Sequence, residues 1–437
     1  MPFTAAVRRR LRERTSLPRD VLVLGLIAFC VAVGFGVLVP VLPVFARGFG
    51  VGNTEVGAVI SVFALMRLAV SPFCGRLISW MGERTVLATG IFIVAGSSGL
   101  AGAAQSYAQL LALRGIGGIG SAMFTVSAMS LLLGSVAPQM RGRAAGFFQG
   151  GFLLGGMTGP AIGGLLALIS IRAPFFFYAG TLAVAGLVGL LLLSRTRVGP
   201  TAGADAETVP LRTVLADPRF QAACLTNLAQ GWTSFGVRSA LIPVLVVEVL
   251  HRNTTWTGIA FACAAVAQTI ALAPAGKFVD TVGRRPAMIG GGLLAALSIM
   301  VVPFASTMAV LIAALCAYGV AAAFLGTAPA ASVGDATGGA RGTPVAVFSM
   351  CADTGAIVGP IVAGLLADRF SYGWAFALGA ALLAVAATYS LRMPRELPPA
   401  RHEAASTDPA AGEGPTPVGE QRIGGPEADD PTTKELR

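Results

Sequence analysis

GGMTGPAIGG at residues 155–164 and GAIVGPIVAG at residues 355–364 decide the fold, because they are two copies of one pattern. Gly155, Gly159, Pro160 and Gly164 return as Gly355, Gly359, Pro360 and Gly364 at a constant offset of 200. The same offset carries Arg141-Gly142 to Arg341-Gly342, while Gly75, Gly82 and Arg84 return as Gly276, Gly283 and Arg285 at an offset of 201. Matches in loops and apolar blocks alike indicate a duplicated unit, its copies expected around a pseudo-two-fold axis along a membrane normal.

The repeats sit in long apolar blocks such as Val21 to Phe45, Val86 to Ala104, Phe175 to Leu193 and Tyr372 to Leu391. About 20 such residues span a bilayer core. The 437-residue chain is 55% hydrophobic and 12% charged, with a mean hydropathy of +0.75. Soluble chains carry about 25% charged residues, so the composition leaves little room for a soluble fold. Helices are expected near 21–45, 56–74, 86–104, 107–133, 144–168, 175–193, 220–250, 257–273, 286–304, 308–331, 343–366 and 372–391. The fold class is an all-α membrane protein, with twelve transmembrane helices in two pseudo-symmetric six-helix bundles.

The net charge of +10 flanks these blocks, which argues for a lipid bilayer and against nucleic acid as partner. Arg8, Arg9, Arg10, Arg12, Arg14 and Arg19 precede the first block, where no small-residue cleavage site follows, so a retained cytoplasmic N-terminus is expected. With that end inside, the cytoplasmic segments hold Arg76, Arg84, Arg141, Arg143, Arg195, Arg197, Arg212, Arg219, Lys277, Arg284, Arg285, Arg341, Arg392 and Arg395. The opposite loops hold Arg47, Arg172, Arg252 and Arg369, which is the positive-inside pattern. The expected parts are a basic N-terminus at 1–20, a bundle at 21–193, a polar cytoplasmic linker at 194–219, a second bundle at 220–391 and a tail at 392–437. The tail is rich in Pro, Gly, Glu and Asp and is expected to be disordered and cytoplasmic. High Ala, Gly and Arg with two lysines, Lys277 and Lys434, points to a GC-rich bacterial genome and its cell membrane.

Cys30, Cys74, Cys224, Cys263, Cys316 and Cys351 lie in or beside apolar blocks without C-x-x-C spacing, and the histidines are His251 and His402. Neither a metal site nor a catalytic constellation is expected, and no cofactor.

Four motifs carry a family resemblance over about Val21 to Leu391. Gly276-Lys-Phe-Val-Asp280-Thr-Val-Gly283-Arg284-Arg285 fits G-x-L-x-D-R-x-G-R-R with Phe at the Leu position, and its first-half counterpart runs from Gly75 through Gly82 to Arg84, with Ser79 and Trp80 replacing the acid and base. Gly146, Gly155, Gly159, Pro160, Gly163 and Gly164 fit G-x8-G-x3-G-P-x2-G-G, and Gly34, Pro40, Val41 and Pro43 fit G-x5-P-V-x-P. Arg114, Gly118 and Gly120 fit R-x-x-x-G-x-G. Together these resemble the major facilitator superfamily, within it the twelve-helix drug and metabolite:proton antiporters.

The resemblance implies that the Gly276–Arg285 loop is a conformational gate, with Asp280 capping a helix N-terminus in the other half, expected to be that of helix 5. A plain topology-fixing basic loop is the alternative, and Ser79 implies that the two gates differ. The resemblance also links the helix 5 glycines to antiport and Arg114 to proton coupling. Small residues and proline there equally serve close packing and bending.

Buried charges are expensive in a bilayer and therefore informative. Arg67, Arg114 and Arg238 fall inside helices, Arg67 about two turns from its expected cytoplasmic end, where it could snorkel. Asp353 is the carboxylate well inside a helix, whereas Glu55 and Glu248 lie near helix ends. An arginine that moves toward or away from a carboxylate changes its proton affinity, so Asp353 is the candidate protonation switch, with Arg114 or Arg238 as partner. A permanent structural ion pair is the alternative.

The expectation is a monomeric secondary transporter, using the proton gradient to export a small, largely apolar organic compound. An uptake symporter would need more midplane polarity than Gln149, Asn227, Gln230 and Gln268 supply. A membrane enzyme or sensor finds no supporting motif.

Overall fold

The computed structural model describes residues 17–137, 140–193, 211–337 and 343–394. The N-terminal arginines, Arg341 and Gly342, most of the linker and the tail beyond residue 394 lie outside the described residues. No strand occurs among the described residues. The long helices are α1 (Arg19–Leu38), α2 (Asn53–Met81), α3 (Glu83–Gly102), α4 (Tyr107–Gly134), α5 (Arg141–Ile169) and α6 (Ala173–Leu192). They continue as α8 (Thr254–Thr281), α9 (Arg284–Val301), α10 (Met308–Ala336), α11 (Thr343–Arg369) and α12 (Tyr372–Tyr389). These eleven are long and apolar enough to cross a membrane.

The twelfth run, α7 over 218–248, is broken into three pieces. Pro218–Gly231 is α-helical, Trp232–Leu241 is a π-helix, and Ile242–Glu248 is α-helical again. Pro243 follows the π segment; its ring lacks an N–H and crowds the carbonyl four residues back. The Ser239 hydroxyl donates to the Ser234 carbonyl five residues behind it, in keeping with the wider register (2.7 Å).

Most boundaries differ from the hydropathy reading at helix ends. The first apolar block is interrupted after Leu38, where Pro40 and Pro43 cannot continue the ladder, and resumes as the short helix Leu42–Arg47. Helices α2 and α8 run on to Met81 and Thr281, so most of each expected loop motif is helical. The turns come at Gly82 (φ 81°) and Gly283 (φ 116°), backbone conformations that favour glycine, which is why the duplication keeps glycine at both.

Each half has its own apolar core, one built around Leu24, Ile27, Leu87, Ile91, Phe175 and Leu182, the other around Leu241, Ile299, Leu311, Leu315, Phe376 and Leu383. Between bilayer helices there is little hydrophobic drive, and close backbone approach supplies the packing. A Cβ on Gly151, Gly155, Gly159 or Gly163 of α5 would stand 2.1–2.6 Å from carbonyl oxygens of α1. In the second half, a Cβ on Gly355 or Gly359 of α11 would stand 2.3 and 2.9 Å from the backbone of α7.

The halves meet along two seams. In one, Gly164 and Pro160 of α5 touch Thr255 and Gly258 of α8; in the other, Gly364 and Pro360 of α11 touch Asn53 and Gly57 of α2. Both seams lie toward the end opposite the motif turns. There Arg47 donates to Glu248 (Nε to Oε1, 2.7 Å) and Tyr372 donates to the other Glu248 oxygen (3.3 Å). Asp368 accepts from the backbone N–H groups of Asn53 and Thr54 and from both side chains, at 2.7–2.9 Å. A carboxylate from one half thus caps a helix N-terminus of the other, where donors are unsatisfied and the dipole is positive. At the motif end, a Cβ on Gly75, Gly82, Gly146 or Gly276 would meet open space. The contacts between the halves described above lie toward the end opposite the motif turns.

Two outcomes follow for purified protein. Gly163→Ala should cost about 1–3 kcal/mol of stability through overpacking against Val37, while Gly146→Ala should change it little, as thermal unfolding would show. Asp368→Asn should raise the labelling rate of cysteines placed at the end opposite the motif turns, since it removes the charged cap that holds α11 to α2.

Candidate functional site

The seams leave a mid-bundle region where four charged side chains lie seven or more residues inside their helical runs: Arg67, Arg114, Arg238 and Asp353. Arg67 is the midpoint of α2, fourteen residues from Asn53 and fourteen from Met81. Its guanidinium forms an ion pair with the Asp353 carboxylate of α11, across the two halves. Both side chains are partly accessible, at 35% and 23%. One helical turn or more toward the end opposite the motif turns, the Ser61 hydroxyl donates to the Ile357 carbonyl (2.6 Å), keeping α2 and α11 in register.

This corrects the expected pairing. Neither Arg114 nor Arg238 reaches Asp353, and Arg67 does not snorkel to a helix end. The error came from the length of α2: its hydropathy fades after Cys74, but the helix continues for seven residues more, which moves Arg67 to the middle.

Arg114 of α4 is only 5% exposed. Its guanidinium lies 4.4 Å from the centroid of the Phe63 ring, a cation–π contact, and beside Tyr178. It holds no hydrogen bond or ion pair among the described residues, and its Nε is a buried donor without a partner. It borders a cavity between the halves that is mostly apolar and aromatic, with Phe35, Leu38, Leu42 and Ile60 on one side and Phe235 and the polar Ser239 of the π segment on the other.

Arg238 lies in that same π segment, 5.6 and 5.8 Å from the ring centroids of Phe261 and Tyr318. Its Nε likewise lacks a partner, and the Tyr318 hydroxyl is engaged with Ser234 (3.2 Å).

The gate residues are placed away from this region. Gly75 and Gly276 are on α2 and α8, Gly82 and Gly283 form the turns, and Arg84 and Arg285 stand in the first turns of α3 and α9. Arg284 pairs with Asp335 at the end of α10, within its own half (2.9 Å). Asp280 is exposed and has no hydrogen-bonding or ionic partner among the described residues, and the N-cap position of α5, Met140, supplies no side-chain cap. In this conformation the expected Asp280 contact is therefore unmade. The acid that does cap a helix of the other half is Asp368, which went unread because it sits at the last turn of an apolar helix, where acids are ordinary.

The helix 5 motif divides by face. Gly155, Gly159 and Gly163 receive α1, Gly164 and Pro160 receive α8, and Gly146 faces open space. The motif thus combines packing within a half with a seam between halves.

Comparison with known proteins accords with this architecture. The sequence model of the Major Facilitator Superfamily matches residues 24–266 and 223–424. The synaptic vesicular amine transporter of Bos taurus is 26% identical over 332 residues, 74% of this chain and 63% of that protein. The quinolone resistance protein NorA of Staphylococcus aureus is 27% identical over 186 residues, 42% of this chain and 48% of that protein. The chain thus spans less than two thirds of the length of these curated relatives. Among solved structures, a bacterial homologue of the human lysosomal transporter Spinster, in an inward-facing and unoccupied conformation, has a TM-score of 0.65 at 17% identity, over 86% of this chain and 95% of that one. The nucleoside transporter NupG has a TM-score of 0.66 at 14% identity, over 85% and 98%. At such identities the likeness is one of fold, and the matched model covers both repeats: the chain belongs to the Major Facilitator Superfamily.

Proposed function

We propose that this secondary transporter exports a small, largely apolar organic compound in exchange for protons, and that Asp353 is the site where the proton acts. The observation that carries the reading is the Arg67–Asp353 pair, a charge contact across the two halves at mid-helix. Names among the relatives, quinolone resistance and vesicular amine transport, lend it support. The reading places the chain in a cell membrane as a monomer, with both termini cytoplasmic, a proton gradient as energy source and no cofactor.

The physical step is simple. A deprotonated Asp353 binds Arg67 and holds α11 against α2 near their middles. A proton on Asp353 neutralises it, the pair loses its Coulombic attraction, and the seam there is free to open. The two end contacts then compete: Asp368 on the α2 terminus holds the present closure, and Asp280 stabilises the alternate state by capping the newly approached α5 terminus. Glycine seams let helices slide without side chains interlocking.

A pair that only stabilised the fold would behave differently from one that couples. Asp353→Asn should keep cargo binding and downhill efflux but lose pH-driven uphill efflux, in reconstituted vesicles, by about ten-fold or more. A double Arg67→Met, Asp353→Met variant removes both charges and so avoids stranding one. It should reach normal membrane abundance and also lack proton coupling; full coupling in the double variant would refute the assignment.

Asp280→Asn should shift cysteine accessibility in the direction opposite to Asp368→Asn, favouring the conformation seen here. An unchanged labelling ratio would leave Asp280 with a topological role only.

A further inference from the structure

The mid-bundle charges do not balance. Among the described residues three arginines, Arg67, Arg114 and Arg238, stand against one carboxylate, Asp353, and that carboxylate is already engaged by Arg67. The two remaining guanidiniums rest on aromatic rings, Arg114 on Phe63 and Arg238 between Phe261 and Tyr318. Each retains a buried Nε without an acceptor. Ring faces compensate a desolvated cation only in part, and a guanidinium presents several donors in a planar fork suited to a carboxylate or a similar oxyanion.

Position narrows the ligand further. Arg114 borders the cavity whose wall includes Phe35, Leu38, Leu42, Ile60 and Phe235, with Ser239 as the other polar side chain. The wall comes from both halves, so a molecule there touches α1, α2 and α4 on one side and the π segment of α7 on the other. From these observations, and resting on the exporter reading above, we infer that the cargo is an organic anion: an apolar, aromatic-sized body carrying one acidic group that Arg114 binds. The carboxylate or other oxyanion takes the donors that Arg114 leaves unused, and the rings and aliphatic side chains cover the body; the Ser239 proton is already given to the Ser234 carbonyl. An amine cargo would enter a region of like charge that holds no free acid among the described residues.

The test is binding to the purified full-length protein without a gradient, so that it is independent of coupling. Three probes share one ring system and differ in head group: 2-naphthoate, 2-naphthylmethylammonium and neutral methyl 2-naphthoate. Wild-type protein should bind naphthoate saturably and at least about ten-fold more tightly than the ammonium probe. Arg114→Gln should weaken naphthoate by about ten-fold or more and leave the ester within about two-fold, with Arg114→Lys in between. Ser239→Glu is a second variant that leaves the arginine in place. Its carboxylate would occupy Arg114 internally, and naphthoate binding should fall while the ester still binds. Absence of saturable naphthoate binding, equal or tighter binding of the ammonium probe, or naphthoate affinity unchanged in both variants overturns the inference. A protein that prefers the ammonium probe yet shows Asp353-dependent proton exchange keeps the exporter reading and loses this one. A protein that prefers naphthoate but shows no proton exchange does the reverse.

Discussion

Backbone contact through glycine is the constraint from which the other features follow. In a bilayer, lipid tails satisfy apolar side chains as well as a neighbouring helix does, so association depends on close fit. Gly155, Gly159 and Gly163 give α5 that fit against α1, and Gly355 and Gly359 give it to α11 against α7. The seams between halves use the same device at Gly164 with Gly258 and at Gly364 with Asn53. At the end where these seams lie, polar contacts across the halves add to the backbone fit: Asp368 on the start of α2 and Arg47 on Glu248.

Duplication makes the two ends comparable and shows where they part. Gly82 and Gly283 keep the same positive-φ turn, and Pro160 and Pro360 both lie at a seam. Asp280 has no counterpart acid, since Ser79 stands there, and among the described residues the π segment of α7 has no counterpart in the first half. The symmetric elements build the scaffold. The asymmetric ones lie at the motif loop and beside the cavity.

Much of this was legible in the sequence, for physical reasons that also explain the gaps. Periodic glycine and proline mark where backbones must meet, and long apolar blocks mark bilayer spans, so the helix order and the repeat could be read directly. The ends of α2 and α8 could not: beyond the apolar block a helix can continue on backbone hydrogen bonds alone, and hydropathy is blind to that. This one omission displaced Arg67 and misassigned the partner of Asp353. The π segment was hidden as well, because Pro243 near the end of an apolar run reads as a plain terminator. Arg114 and Asp353 stood out from their cost in a bilayer, but which charges meet depends on helix rotation, which no single-sequence pattern encodes.

One stretch of α2 joins the two interior sites. Ile60, Phe63 and Arg67 are spaced by three and four residues and so share a helical face. Ile60 lines the cavity, Phe63 carries Arg114, and Arg67 holds Asp353. In the proposed cycle, release of Arg67 by a protonated Asp353 lets this face turn or shift, and the same movement displaces the ring beneath Arg114 and one wall of the cavity. By linkage, a cargo that binds better with Phe63 in one position must alter the proton affinity of Asp353 by the same free energy. Cargo and proton then need not touch to exchange: the α2 face carries the competition between them, and the remaining helices only have to stay packed while it does.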